Sequence, residues 1–138
     1  MIDKYIKVSE YDGLGYMPMI DYEQWRVALL RYIDELEIQN ICKMQKHNET
    51  DEVFILLEGE CVLFSGGNGN EIGEIEAIKL KPLKLYNVKK GVWHTHTLKR
   101  NTTVLIVENK NTDDQNSPCM ELTTDKKREL LSCYEKLK

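Results

Sequence analysis

The sequence predicts a mainly β protein of one domain, an antiparallel sandwich or barrel with one N-terminal and one C-terminal helix. About seven short apolar runs, each bounded by turn residues, follow one another between residues 37 and 109. Apolar residues recur at helical spacing before and after them. The length of 138 residues is usual for one domain. We therefore divide the chain into an N-terminal segment and helix packed on the barrel (1–36), the barrel (37–110), and a polar linker with the C-terminal helix (111–138).

The first helix is predicted between about Tyr22 and Asp34. Asp21 is a typical N-cap residue, and Gln24 stands where its capping-box partner would lie. Residues 1–20 are predicted to be irregular but apolar enough to pack on the domain. Apolar residues then recur at helical spacing, at Trp25, Leu29, Tyr32 and Ile33. The apolar face of this helix should lie against a sheet.

The middle of the chain is predicted to consist of short strands. Turn residues at 58–60 and 65–69 separate successive apolar runs. A polar stretch, residues 109–118, is predicted to be a mobile linker, and Thr123 or Thr124 should cap a last helix that ends near Lys136. The predicted strands cover residues 37–45, 52–57, 61–64, 75–80, 84–88, 92–98 and 103–108.

Composition excludes some classes of function. The net charge is −4, and no cluster of Lys and Arg is present of the kind that neutralises nucleic-acid phosphates. No apolar run approaches the roughly 18 residues of a membrane span, and the N-terminus lacks the apolar core of a signal peptide. We therefore expect a cytoplasmic protein with reduced cysteines. Its partner should be a small molecule, with neither nucleic acid nor membrane involved.

All three histidines lie in two short stretches, residues 45–59 and 89–96. Residues two apart in a strand point to the same face, so Gln45 and His47 should share one face. His94 and His96 should do the same. Imidazole and carboxylate groups together bind divalent transition metals with positions left open for substrate. The alternative is that these histidines are surface or core groups without a ligand, and their clustering argues against it.

The first stretch resembles the first motif of the cupin superfamily, G-x5-H-x-H-x3,4-E-x6-G. It matches at the second histidine, the glutamate and the last glycine, which are His47, Glu52 and Gly59. Gln39 stands in place of the first glycine, and Gln45 in place of the first histidine. The spacing between the matched residues is that of the motif.

The second stretch resembles the second cupin motif, G-x5-P-x-G-x2-H-x3-N. It matches at the second glycine, Gly91, and at the histidine, His94. It departs from the motif at Leu83, Lys89 and Leu98. The resemblance covers residues 37–109 and implies a double-stranded β-helix, the jelly-roll barrel of the superfamily.

The resemblance also implies a site inside the barrel. Carried over by position, the metal ligands would be Gln45, His47, Glu52 and His94, and the ion Mn, Fe, Ni or Zn. His96 could replace Gln45 as the fourth ligand, because it should point the same way as His94. In a metal-free version, His47 or His94 would be a general base. Small cupins commonly form homodimers, so we also expect a dimer.

Three functions follow from these expectations. The first is an enzyme that acts on a small polar metabolite with lyase, isomerase or dioxygenase chemistry. In this respect the chain is similar to bacterial ureidoglycolate lyases and to metal-free sugar isomerases of the superfamily. The second is a cupin that binds a small ligand without turnover. The third is a barrel whose site has decayed, with Gln45 as the first sign.

Overall fold

In the computed structural model, which describes residues 4–138, two five-stranded antiparallel sheets face each other and one helix packs outside them. The strand order is β1-β2-β9-β4-β7 in the first sheet and β10-β3-β8-β5-β6 in the second. The elements are β1 Tyr16–Tyr22, β2 Trp25–Arg31, β3 Lys43–Gln45, β4 Glu52–Glu58, β5 Cys61–Ser65, β6 Glu76–Lys79, β7 Tyr86–Val88, β8 His94–Leu98, β9 Thr103–Asn109, β10 Cys119–Glu121 and α1 Thr124–Glu135. The predicted mainly β class and the C-terminal helix are confirmed. None of the helices within these residues is long and apolar enough to cross a membrane.

The prediction of an N-terminal helix is wrong. Residues 16–31 form a hairpin, β1 and β2, and β2 pairs along its whole length with β9. Asp21 does not cap a helix, because its carboxylate accepts two hydrogen bonds from the Arg26 guanidinium across the turn, at 2.8 and 3.1 Å. Glu23 takes the left-handed conformation that this turn needs (φ 52°). Of the irregular segment predicted for residues 1–20, residues 1–3 lie outside the described part.

The alternation of β2 explains its place in the sheet. Ala28 and Leu30 are buried between the two sheets, and the residues on either side of them are more exposed. Because every second side chain of β2 is buried, the strand packs one apolar face into the core while its backbone pairs with β9. A helix on the barrel surface would bury these side chains less completely.

The strand predicted for residues 37–45 is also mostly wrong. Two 3-10 helices, Asp34–Leu36 and Ile38–Asn40, occupy its start, and only Lys43–Gln45 is extended. The linker predicted to be mobile is packed on the barrel. The backbone N–H groups of Lys46 and Asn48 donate to carbonyls of residues 118 and 116, at 3.1 and 2.9 Å. The chain then adds a strand that the sequence did not indicate, β10, which pairs with β3.

The hydrophobic core has two parts that share β5. Cys61 and Leu63 face the space between the sheets, while Val62 and Phe64 face the other way. The outer part is covered by α1 through Leu130, which is buried. Because both faces of β5 are covered, its sequence is continuously apolar rather than alternating. Thr123 caps α1 as predicted, since its side chain accepts from the N–H of residue 126.

The two motif glycines serve turns. Gly59 has φ 88° and Gly91 has φ 81°, a conformation that favours glycine. A Cβ on Gly59 would also collide with the backbone of Thr102. The N–H of Gly91 donates to the carbonyl of His47 at 2.7 Å. The second glycine therefore ties the two motif stretches together at the site.

Candidate functional site

Three predicted site residues meet at one end of the barrel interior. His47 follows β3, Glu52 begins β4, and His94 begins β8. The pairing of β3 with β8 places Gln45 opposite His94. The three side chains therefore come from both sheets and converge because the ends of the strands meet there.

The geometry of this group, which we call the triad, is tight. His47 Nε2 lies 3.0 Å from Glu52 Oε1, and His94 Nε2 lies 2.9 Å from the same oxygen. All three residues are buried, and one ligand atom from each lies within 4.8 Å of the others. The Nδ1 atoms of the two histidines also have hydrogen-bond partners. His94 Nδ1 donates to the Val92 carbonyl at 2.9 Å, and His47 Nδ1 lies 2.7 Å from Ser117 Oγ.

The electrostatics of the triad favour an ionised carboxylate. Burial alone would raise the pKa of Glu52, but the hydrogen bonds from His47 and His94 outweigh it and the pKa is lowered. Burial would likewise lower the pKa of His94. Its hydrogen bond to Glu52 and the attraction of that charge raise the pKa above its ordinary value instead. Glu52 is therefore the fixed negative charge of the site.

Gln45 and His96 lie in the same cavity but outside the triad. The amide nitrogen of Gln45 donates to the Ser117 carbonyl at 3.0 Å. His96 packs against Phe54, with ring centroids 5.7 Å apart, and its Nδ1 is buried without a hydrogen-bond partner among residues 4–138. Burial lowers the pKa of His96 to about 4, so its imidazole is neutral.

Three aromatic residues near the motif stretches lie outside the cavity of the triad. Phe54 is fully buried in the core between the sheets, where its edge faces His94. Trp93 belongs to the outer core under α1, and its indole N–H donates to the Gly69 carbonyl at 3.0 Å. Tyr86 packs against the inner core from β7. None of these three lines the cavity that contains the triad.

The triad lines a cavity of about 470 Å³. The same cavity contains a second buried glutamate that sequence reasoning missed. Glu108, on β9, is buried and accepts a hydrogen bond from the Tyr16 hydroxyl at 2.6 Å. Burial and the neighbouring Glu52 charge raise the pKa of Glu108. Arg26, Asp113 and Ser117 are among the other residues that line the cavity.

A signal for Glu108 was present in the sequence. In β9 the buried residues Val104 and Ile106 alternate along the strand, and Glu108 continues this series. A charged residue in phase with the buried face of a strand is unusual unless it is paired or functional. Ser117 carried no such signal, because it lies in a polar loop.

Solved structures with the same arrangement are numerous, and three are informative. A cupin-2 domain containing protein from Shewanella frigidimarina is 20% identical, with a TM-score of 0.51 over 72% of this chain and 85% of that one. A Streptomyces nucleoside dehydratase is 8% identical, with a TM-score of 0.58 over 83% and 86%. A TDP-fucose-3,4-ketoisomerase from Campylobacter jejuni is 17% identical, with a TM-score of 0.51 over 70% and 67%. The chain has the cupin fold. No protein-family model matches the sequence, and no curated protein does.

The triad of this chain fits a metal ion. A first-row ion about 2.1 Å from each donor would place neighbouring ligands of an octahedron about 3 Å apart. The two contacts of Glu52 Oε1, at 3.0 and 2.9 Å, agree with this spacing. Two imidazoles and one carboxylate also form a donor set that leaves positions open. The residues present are therefore suited to the kind of ion that the cupin resemblance implies.

Proposed function

We propose that this cupin binds a divalent transition metal through His47, Glu52 and His94 and acts on a small polar metabolite in the adjoining cavity. The observation that carries the proposal is the convergence of two imidazole Nε2 atoms on one carboxylate oxygen, at 3.0 and 2.9 Å. Mn, Fe, Ni and Zn all suit this donor set. Gln45 remains the proposed fourth position, through its amide oxygen, since its amide nitrogen is already bonded.

The cavity favours an enzyme over a protein that binds a small ligand without turnover. When bound, the ion would supply a Lewis acid that polarises a substrate carbonyl or carboxylate. Glu108 lies in the same cavity with a raised pKa, so it can hold a proton at neutral pH beside the ionised Glu52. Two carboxyl groups in opposite states are the usual arrangement for acid–base chemistry. We propose lyase or isomerase chemistry, with Glu108 as the proton donor and Tyr16 orienting it. A dioxygenase is the third reaction class open to such a site.

The activities of proteins that share the fold support this reaction type but do not identify a substrate. The structures that share the fold include a nucleoside dehydratase and a ketoisomerase. A ureidoglycolate lyase activity would rest on the sequence resemblance alone. The cavity lining contains both basic and acidic groups, Arg26, Asp113 and Glu108, which favours a polar substrate over an apolar one.

Metal analysis of protein purified without an affinity tag tests the proposal. We expect about one equivalent of transition metal in the wild type and its loss in His47→Ala and in His94→Ala. His96→Ala is the matched control, because this histidine lines the same cavity outside the triad and its removal should leave the metal in place. A protein without metal, whose melting temperature does not respond to Mn, Fe, Ni or Zn, contradicts the proposal.

A metal-free acid–base site is the second candidate, and one observation favours it. The triad is already a hydrogen-bonded unit, because Glu52 is balanced by His94 with a raised pKa. In that case His47 or His94 would act directly as the catalytic base. Stabilisation by a small sugar or acid, in protein shown to lack metal, would support this candidate, and turnover would separate it from a binding protein.

We also propose a homodimer that forms through β1. Among the described residues β1 is an edge strand, and it and the start of β2 carry exposed apolar side chains. Such an edge invites pairing with a second copy. Light scattering after size exclusion should give twice the chain mass for the wild type and the chain mass for Ile20→Lys. A monomeric wild type at micromolar concentration contradicts this assembly.

A further inference from the structure

The loop before β10 reaches into the site and contacts a triad residue from outside both motif stretches. Ser117 is only 2% exposed, and its Oγ lies 2.7 Å from His47 Nδ1. A hydroxyl can donate or accept, so this distance alone does not say which atom carries the proton. The hydrogen bonds of the neighbouring Asn116 settle which atom carries the proton.

Asn116 has a fixed amide orientation. Its Nδ2 lies 2.9 Å from the Asn111 carbonyl, which can only accept. Its Oδ1 lies 3.1 Å from the backbone N–H of Asp113, which can only donate. Reversing the amide would place donor against donor and acceptor against acceptor. The oxygen Oδ1 is therefore the atom that faces Ser117.

The proton of Ser117 is then assigned. Ser117 Oγ lies 3.0 Å from Asn116 Oδ1, and only a donated hydroxyl proton makes this contact favourable. The hydroxyl has one proton, so Oγ must accept from His47 Nδ1–H at 2.7 Å. In neutral His47 the lone pair consequently lies on Nε2, which faces Glu52 Oε1 at 3.0 Å.

His94 is held in the same tautomer by a simpler contact. Its Nδ1 faces the Val92 carbonyl, which can only accept, so the neutral ring also has its lone pair on Nε2. With both rings neutral, both lone pairs would point at the same carboxylate oxygen. Such an arrangement repels itself unless a proton or a cation is shared there, so it is suited to receive one.

We propose that Asn116 and Ser117 are positioning residues that hold His47 as the Nδ1–H tautomer and thereby present its Nε2 to a cation shared with Glu52 and His94. This inference rests on the proposed metal site, but it concerns a relay of hydrogen bonds that exists without the ion. Partners of this kind typically contribute about 10- to 100-fold to metal affinity by fixing tautomer and ring orientation. The segment predicted to be a mobile linker would thus set the ligand geometry of the first motif.

The first test reads the tautomer directly in metal-free protein. Long-range ¹H–¹⁵N correlation spectra, recorded over a pH series up to the neutral plateau of His47, should show Nδ1 protonated and Nε2 unprotonated. Ser117→Ala should shift His47 toward the Nε2–H form, and Ser117→Thr, which keeps the hydroxyl, should restore the wild-type pattern. A wild-type His47 that is neutral with Nε2–H overturns the proposal, whether or not the protein binds metal.

The second test measures affinity, with Zn²⁺ as the probe in calorimetric titrations. Ser117→Ala and Asn116→Ala should each weaken binding by about 10- to 100-fold. Thr112→Val is the matched control, because it removes a hydrogen bond from the same loop, Oγ1 to the Asn109 carbonyl at 2.8 Å, that lies outside the relay. Equal affinity in Ser117→Ala and the wild type overturns the positioning role. A wild type that binds no Zn²⁺ overturns the metal site, and the tautomer experiment still decides the relay.

Discussion

Two buried glutamates line the cavity, and their surroundings shift their pKa values in opposite directions. Two imidazoles converge on Glu52 and lower its pKa. Glu108 accepts a hydrogen bond from the Tyr16 hydroxyl, and burial together with the neighbouring Glu52 raises its pKa. Burial alone would raise both pKa values, so the imidazole donors around Glu52 account for the difference between the two carboxyl groups.

Replacing each of the two glutamates by glutamine gives the largest expected contrast. Glu52→Gln should weaken Zn²⁺ or Mn²⁺ binding at least about 100-fold, because it deletes the only formal charge of the donor set. Glu108→Gln should change the same affinity only a few-fold while turnover on any substrate is lost. Titration calorimetry on both variants, each checked for folding by circular dichroism, measures the contrast. Equal losses of affinity would mean that Glu108 belongs to the metal centre and that the two glutamates do not have separate roles.

The same comparison extends to two histidines on one strand. His94 has both nitrogens bonded, whereas the buried Nδ1 of His96 has no partner in residues 4–138. His94→Leu should therefore lower the free energy of unfolding by about 2 kcal/mol, because Glu52 loses a donor while it stays buried. His96→Leu should raise it by up to about 1 kcal/mol, because an unsatisfied nitrogen is replaced by apolar surface beside Phe54.

Urea unfolding of the two leucine variants in metal-free protein gives both values. Metal must be removed for this measurement, since a bound ion stabilises the folded state and would enlarge the loss at His94. A loss of stability in His96→Leu as large as that in His94→Leu would show that His96 has a partner of its own.

The triad was predictable from sequence, and Glu108 and Ser117 were not. The resemblance to the two motifs indicated His47, Glu52 and His94, and each lies at or just beyond a strand end. Glu108 and Ser117 enter the site through long-range contacts of β9 and of the loop before β10. A single sequence shows the alternation that points Glu108 inward, but it does not show which strand Glu108 faces.

The wrong N-terminal helix has a physical reason as well. Residues four apart lie on one face in both a helix and a strand, so Trp25 and Leu29 fit either period. Asp21 fitted a helix cap equally well, but its carboxylate is used by Arg26 across the hairpin. What decided the outcome was pairing with β9, whose seven residues match β2 one for one. Tertiary pairing of this kind overrides a local pattern.

The smallest expected effect is on stability and concerns Glu108 alone. Because its pKa is raised, the folded protein binds a proton there that the unfolded chain releases above the ordinary glutamate pKa of about 4.3. Folding stability from this group therefore falls as pH rises from that value through the raised pKa.

Glu108→Gln keeps an acceptor for Tyr16 and offers an N–H toward Glu52 without needing the proton. Its advantage over the wild type should be near zero at pH 4, grow with pH, and reach on the order of 1 kcal/mol near neutrality. Thermal melts of both proteins from pH 4 to 8 measure this difference, with Tyr16→Phe as the control that removes the hydroxyl but leaves the pair of carboxyl groups. A difference that does not change with pH would show that Glu108 is ionised like Glu52, and the two carboxyl groups would then be alike in charge.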